Sequence, residues 1–202
     1  MSVIQAGNTT TTSLIYTGDT TGNLVFTTGG ANTTALTITN AQAATFAGTL
    51  TTASQGIAFA SLPTGSVLQV VGSTYSTQTS TSSTSYVSTS LTASITPKFS
   101  TSKIFIIVNT AIISTGVPNN DVYLTIYRGA STNLGGGSQS SLTGQESGST
   151  ATLWTPASIN YLDSPATTSS TAYTLYFKVN GGTGYAFWGP TLSTITLMEI
   201  AA

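Results

Sequence analysis

The sequence predicts an all-β protein: an N-terminal, repetitive, intertwined β-stem followed by an antiparallel jelly-roll β-sandwich head. Three observations lead there. Only 4% of the residues are charged, against roughly 25% in an average domain, and Thr, Ser, Asn and Gly stand in their place. Thr is β-branched and suits a pleated surface, while Ser, Asn and Gly supply turns. The Glu, Lys, Arg and Gln that cover helix surfaces are scarce. Finally, apolar and aromatic runs recur with period two, which a disordered Ser/Thr-rich chain would lack.

The 202 residues divide in two. Residues 1–56 are small, Thr-rich and repetitive, and read as a β-stem. Residues 57–202 hold the longer apolar runs and nearly all the aromatics, and read as the head. In the stem, Ser13–Tyr16, Asn23–Thr27, Ala35–Thr39 and Ala44–Ala47 are expected strands, separated by Gly, Asn and Asp turn signals. Their regular spacing suggests a repetitive β architecture. Each strand is too short to bury a core alone, so neighbouring chains are expected to complete it, as an intertwined homotrimer.

In the head, Ser66–Val71 is the first expected strand. Tyr86–Ile95 alternates through Leu91, Ala93 and Ile95. Lys103–Ser114 is apolar on both faces, which predicts a central strand covered on both sides. It is also the most aggregation-prone segment, flanked by Lys98 and Lys103. Val122–Arg128 and Ala172–Val179 alternate cleanly. Leu153–Trp154 and Ile159–Leu162 read as two short strands, and Tyr185–Trp188 and Thr194–Ile200 close the domain. Short strands within Ser73–Ser80 and Leu134–Leu142 bring the count to eight to ten, which suits two antiparallel sheets.

Several chemistries lack the side chains they need. The chain has no His and no Cys, so a Ser-His-Asp triad, a disulfide framework and the common zinc sites are out of reach. No catalytic residue, cofactor or metal site is expected, and the protein reads as structural or binding rather than an enzyme. Four scattered cations, Lys98, Lys103, Arg128 and Lys178, make no nucleic-acid patch. The N-terminal residues lack a signal-peptide pattern, and the longest apolar run, Ile104 to Ile113, is too short for a transmembrane helix. Gly135–Gly137 and Gly181–Gly182 precede no helix pattern, so no phosphate cradle is expected.

Five carboxylates are present: Asp19, Asp121, Glu146, Asp163 and Glu199. Glycoside hydrolysis needs two of them facing each other, but turn and capping roles explain their positions. Asn119, Asn120 and Asp121 hold one acidic residue, thin for a Ca²⁺ site. The aromatics are more informative. Trp154, Tyr161, Tyr185, Phe187 and Trp188 cluster in the C-terminal half, where core packing is the plain reading for each. Exposed rings can also stack on sugars, with neutral Asn, Ser and Thr bonding hydroxyls. Trp188, Tyr185 and Trp154 are therefore the candidate contacts for a glycan.

Specific stretches carry a family resemblance. Ile95–Ile104 (Ile-Thr-Pro-Lys-Phe-Ser-Thr-Ser-Lys-Ile) leads into an apolar strand, then Val122–Gly129, Tyr161–Pro165, Ala172–Lys178 and Ser193–Ile200 follow. This series resembles the C-terminal head domain of tailed-bacteriophage virion fibres, particularly those of marine phages of cyanobacteria and similar hosts. Gly22–Phe26 and Ala35–Asn40 through Thr45–Leu50 resemble phage fibre stems. The resemblance covers most of the chain. It implies a homotrimeric virion protein made in the bacterial cytoplasm, with the N-terminal segment held by other virion proteins and the head engaging the host. A capsid decoration or head-fibre protein with a mechanical role is the alternative, and a bacterial surface adhesin a more distant one.

Overall fold

The computed structural model describes residues 23–28, 33–39, 41, 44–46, 59, 62–114, 120–146, 153–189 and 191–202. The chain forms two compact units, Met1–Ala58 and Phe59–Ala202. Among the described residues all regular structure is strand apart from one 3₁₀ position at Phe59, and every strand pairing is antiparallel.

The first unit contains a three-stranded meander of β1 (Leu24–Thr28), β2 (Thr33–Ile38) and β3 (Ala44–Phe46). Its register aligns Leu24, Ile38 and Ala44 in one row and Phe26, Leu36 and Phe46 in another. Both Val25 (43%) and Phe26 (39%) are exposed, so among the described residues neither face of β1 is covered at these positions. The expected strand Ser13–Tyr16 lies outside the described residues.

The second unit is a β-sandwich. Its strands are β4 (Val67–Tyr75), β5 (Thr79–Thr81), β6 (Val87–Ile95), β7 (Lys103–Ser114), β8 (Val122–Arg128), β9 (Thr132–Asn133), β10 (Thr143–Gln145), β11 (Leu153–Asp163), β12 (Thr171–Val179), β13 (Gly184–Ala186) and β14 (Ser193–Ile200). One sheet runs β4-β14-β7, with β13 and β5 continuing beside the far end of β7 and β11 on its other flank. The other runs β10-β8-β12-β6, with the short β9 on β8. Setting aside β5, β9 and β13 leaves eight strands. Numbered along the chain, they give sheet orders 1-8-3-6 and 2-7-4-5. These are the two interlocked Greek keys of a jelly roll.

Period-two alternation builds the core. Leu91, Ala93 and Ile95, then Ile104, Ile106 and Val108, Val122, Leu124 and Ile126, Tyr173, Leu175, Phe177 and Val179, and Ile195 and Leu197 all point between the sheets. Each full burial of such a side chain contributes about 1.5–3 kcal/mol. β7 is central, as expected, but it is covered on one side only. Ile104, Ile106 and Val108 are buried, while Phe105 and Ile107 on the other face are half-buried. The outer face is shielded by cross-strand neighbours rather than by another layer. Val70, Met198, Phe105 and Leu162 align across four strands, and Val70 (57%) and Leu162 (50%) stay exposed.

Two local departures from regular pairing matter. β6 carries a bulge, because Thr174↔Thr92 is followed by Tyr176↔Ser88. Ser90 takes φ 69°, and the buried Thr89 hydroxyl donates to Leu175 O at 2.8 Å while accepting from Leu91 N at 3.3 Å. A side chain thus fills the gap left in the ladder. β11, expected as two short strands around Pro156, is one strand of 11 residues. Pro156 lies opposite Ala111 on an edge strand, where a missing N–H interrupts no second neighbour.

Candidate functional site

The three candidate glycan-contact residues come from two distant stretches, and the fold brings them together. Trp154 is the second residue of β11 and Tyr185 sits in β13, and both pair with Ile113 of β7 from opposite sides. That register places their backbones roughly 10 Å apart across β7. Trp188 joins them: its ring lies 5.3 Å from Trp154 at 85° and 5.1 Å from Tyr185 at 75°, edge-to-face in both cases. Trp154 remains 60% exposed and the other two are half-buried, so core packing is not their role.

The local chain explains how Trp188 gets there. Gly184 opens β13, where a Cβ would stand 2.6 Å from Val179 Cγ1, so only glycine lets this strand close over the core. Phe187 N donates to Ala111 O at 3.1 Å, extending the β13–β7 pairing by one step. Phe187 then takes φ 61°, a left-handed conformation costing about 1–3 kcal/mol for a bulky residue. Its fully buried ring packs edge-on against Tyr75 at 5.5 Å and compensates for that strain. The turn continues with Gly189 at φ 62°, and Thr191 Oγ1 donates to Trp188 O at 3.0 Å. Phe187 is thus driven inward and Trp188 outward. Tyr161, also in the expected cluster, packs against the core instead.

The face beside the rings is neutral. Next along β7 come Ala111 with Pro156, then Asn109 between Ser158 and Thr194, then Ile107 between Asn160 and Thr196. Ser158 Oγ donates to Asn109 Oδ1 at 2.9 Å.

The sequence gives little warning of a second aromatic group, on the outer face of the other sheet. Tyr127 stacks on Tyr176 at 4.2 Å and meets Tyr86 at 6.2 Å. Lys178 Nζ sits 5.0 Å from the Tyr86 ring and 5.5 Å from that of Tyr123. Tyr86 OH donates to Gln139 O, which ties the 129–142 loop to this face. Burial pushes the Tyr86 phenol up to about 12. The bond to Asp121, then burial, does the same for Tyr123. The hints in the sequence are the alternations that set Tyr123, Thr125 and Tyr127 on one face of their strand and Thr174, Tyr176 and Lys178 on one face of theirs.

Three of the described carboxylates, Asp163, Glu199 and Asp121, are held in hydrogen-bond networks. Asp163, buried at the end of β11, accepts from Arg128 Nη1 at 2.9 and 3.0 Å and from Tyr173 OH at 2.7 Å. Burial and that bond together raise the Tyr173 phenol far above its ordinary value. Glu199 is fully buried; it accepts from Gln69 Nε2 at 2.6 Å and from Lys98 N at 2.7 Å. Asp121 Oδ2 accepts from Tyr123 OH at 2.7 Å and Asn180 Nδ2 at 2.6 Å. Asp121 and Glu146 line one surface depression of about 320 Å³ with Tyr123 and Thr143. Among the described residues, no three acidic side chains gather to hold a metal ion. Asp19 and Asn119 lie outside the described residues.

No protein-family model matches the chain, and neither does any curated protein. Among solved structures, it is similar to the infectious bursal disease virus Gx strain structure, with a TM-score of 0.34 and 16% identity over 66% of this chain and 38% of that one. The T13 particle of the same virus gives a TM-score of 0.34 and 13% identity over 68% and 37%. Its VP2 subviral particle gives 0.33 and 14% over 66% and 37%. The chain therefore spans little more than a third of those proteins, and likeness this distant says nothing of what it does.

Proposed function

We propose that this chain is a structural virion protein of a tailed phage, a homotrimeric fibre whose head attaches to a host surface glycan through Trp154, Tyr185 and Trp188. One observation carries the attachment reading: these three rings converge on an exposed sheet face that is otherwise neutral. Aromatic faces stack against the C–H faces of sugar rings, and a few polar groups beside them set orientation. The virion setting is supported by the fibre-like sequence of both parts. Assembly is supported by the exposed β1 side chains and by the apolar row across β4, β14, β7 and β11, surface that neighbouring copies would cover.

In this reading the residue 1–56 segment meets other virion proteins and the head points outward. The same apolar row also favours a second reading, a capsid decoration or head-fibre protein whose work is mechanical. Cryo-EM of purified particles, with copy number from quantitative mass spectrometry, separates the two. A small threefold set at the tail is expected for a tail fibre. Many copies over the shell favour decoration, and absence from the particle overturns both readings.

A further inference from the structure

We infer that the ligand of this face is a neutral oligosaccharide of several sugars, lying along β7 with one end on the aromatic rings. The inference rests on the attachment reading and adds the ligand's charge and length. Its basis is the order of residues on the outer face. Side chains on one face of a strand recur every two residues, about 6.6 Å apart. Starting at the Trp154–Tyr185 row, the next row is Ala111 and Pro156. A polar row follows, holding Asn109 between Ser158 and Thr194, and then a row in which Asn160 and Thr196 flank Ile107. From Ile113 to Ile107 the face runs about 20 Å, the length of several linked sugar rings rather than one.

The chemistry along that length suits hydroxyl groups. Ser158 Oγ donates to the Asn109 carbonyl oxygen, and the remaining polar group of that exposed amide, Nδ2, is a donor. Asn109, Ser158 and Asn160 are all exposed. Carboxylate or sulfate groups would call for Arg or Lys at the face. None stands in these rows: Lys98 lies in the turn after β6, Lys103 at the far end of β7, and Arg128 and Lys178 in the opposite sheet. A neutral glycan therefore fits and an acidic one does not.

The chain's two tryptophans, Trp154 and Trp188, both belong to this site, so intrinsic tryptophan emission reports on it alone. The full chain is titrated with neutral β-glucan and N-acetylglucosamine oligomers of one to four sugars, and with galacturonate oligomers of equal length. Saturable emission changes are expected with at least one neutral series, affinity rising about tenfold or more from one sugar to three, and none with galacturonate. The N109A/S158A double variant, both positions exposed, should keep its melting temperature and lose the gain with length. Equal response to galacturonate, no response to either neutral series, or a length gain that survives N109A/S158A overturns the inference. Particle adsorption is scored separately with W154A. Lost adsorption without neutral binding sinks the oligosaccharide alone, whereas unchanged adsorption by a folded W154A chain sinks the attachment reading itself.

Discussion

At the scale of single residues, burial and partner decide what each side chain does. Glu199 shows this for charge. Burial opposes its ionisation, but the Ser102 hydroxyl, then Gln69 and the backbone N–H groups of Lys98 and Phe99, together outweigh that cost and hold the carboxyl below its ordinary 4.5. A carboxyl depressed in the folded state stabilises the fold above its unfolded value. That contribution is lost as pH falls through the lower folded value. Thermal melts should therefore be flat from neutral pH to about pH 5 and fall below about pH 4.5. E199Q should cost about 1–3 kcal/mol at pH 7 and flatten that acid limb; an unchanged limb would show that another group drives it. Trp154 is the opposite case. It is mostly exposed, so W154A should change stability by no more than about 1 kcal/mol, the scale of one lost aromatic contact, measured by denaturant unfolding.

At the scale of elements, side-chain hydrogen bonds and strained turns hold what pairing alone does not. T89V keeps the shape of the buried side chain in the β6 bulge but removes its bonds to Leu175 O and Leu91 N. Denaturant unfolding should show a loss of about 1–3 kcal/mol; a neutral effect would mean the bulge closes without it. R128M leaves the buried Asp163 with Tyr173 OH but no cation. Because Arg128 is partly exposed, the loss should be about 2–3 kcal/mol rather than the larger cost of a fully buried pair, read as a lower unfolding midpoint. Much of this level was legible in the sequence. The alternation of Leu91, Ala93 and Ile95, of Val122, Leu124 and Ile126, and of Tyr173 through Val179 named the core-facing residues correctly. Pro156 concealed the length of β11, because a proline reads as a strand break unless the strand is known to lie at an edge. Phe187 and Trp188 were indistinguishable as neighbours in an aromatic run. The positive φ that sends one inward and the other outward arises from packing against Tyr75 and pairing with Ala111, and both are tertiary.

At the scale of the whole molecule, the jelly roll explains why the site lies where it does. Trp154 and Tyr185 are far apart in the chain, and it is β7, between β11 and β13, that sets them in one row, with Trp188 meeting both from the turn after β13. Composition singled out Trp154, Tyr185 and Trp188 as candidates, and the fold brings their three rings together. The pairing order that unites them cannot be read from period-two alternation, because alternation names faces and not neighbours. β13 is also an addition to the eight-strand scheme, so the candidate site and the scaffold are partly separate. The head holds a complete core of its own, so a chain starting at Phe59 should still melt cooperatively. The central claim, attachment through Trp154, Tyr185 and Trp188, is tested most directly by host adsorption of particles carrying a W154A/W188A chain. With the variant incorporated at normal copy number, adsorption should fall at least about tenfold, the scale of a lost stacking contact repeated over several copies. Adsorption equal to that of unaltered particles would contradict it.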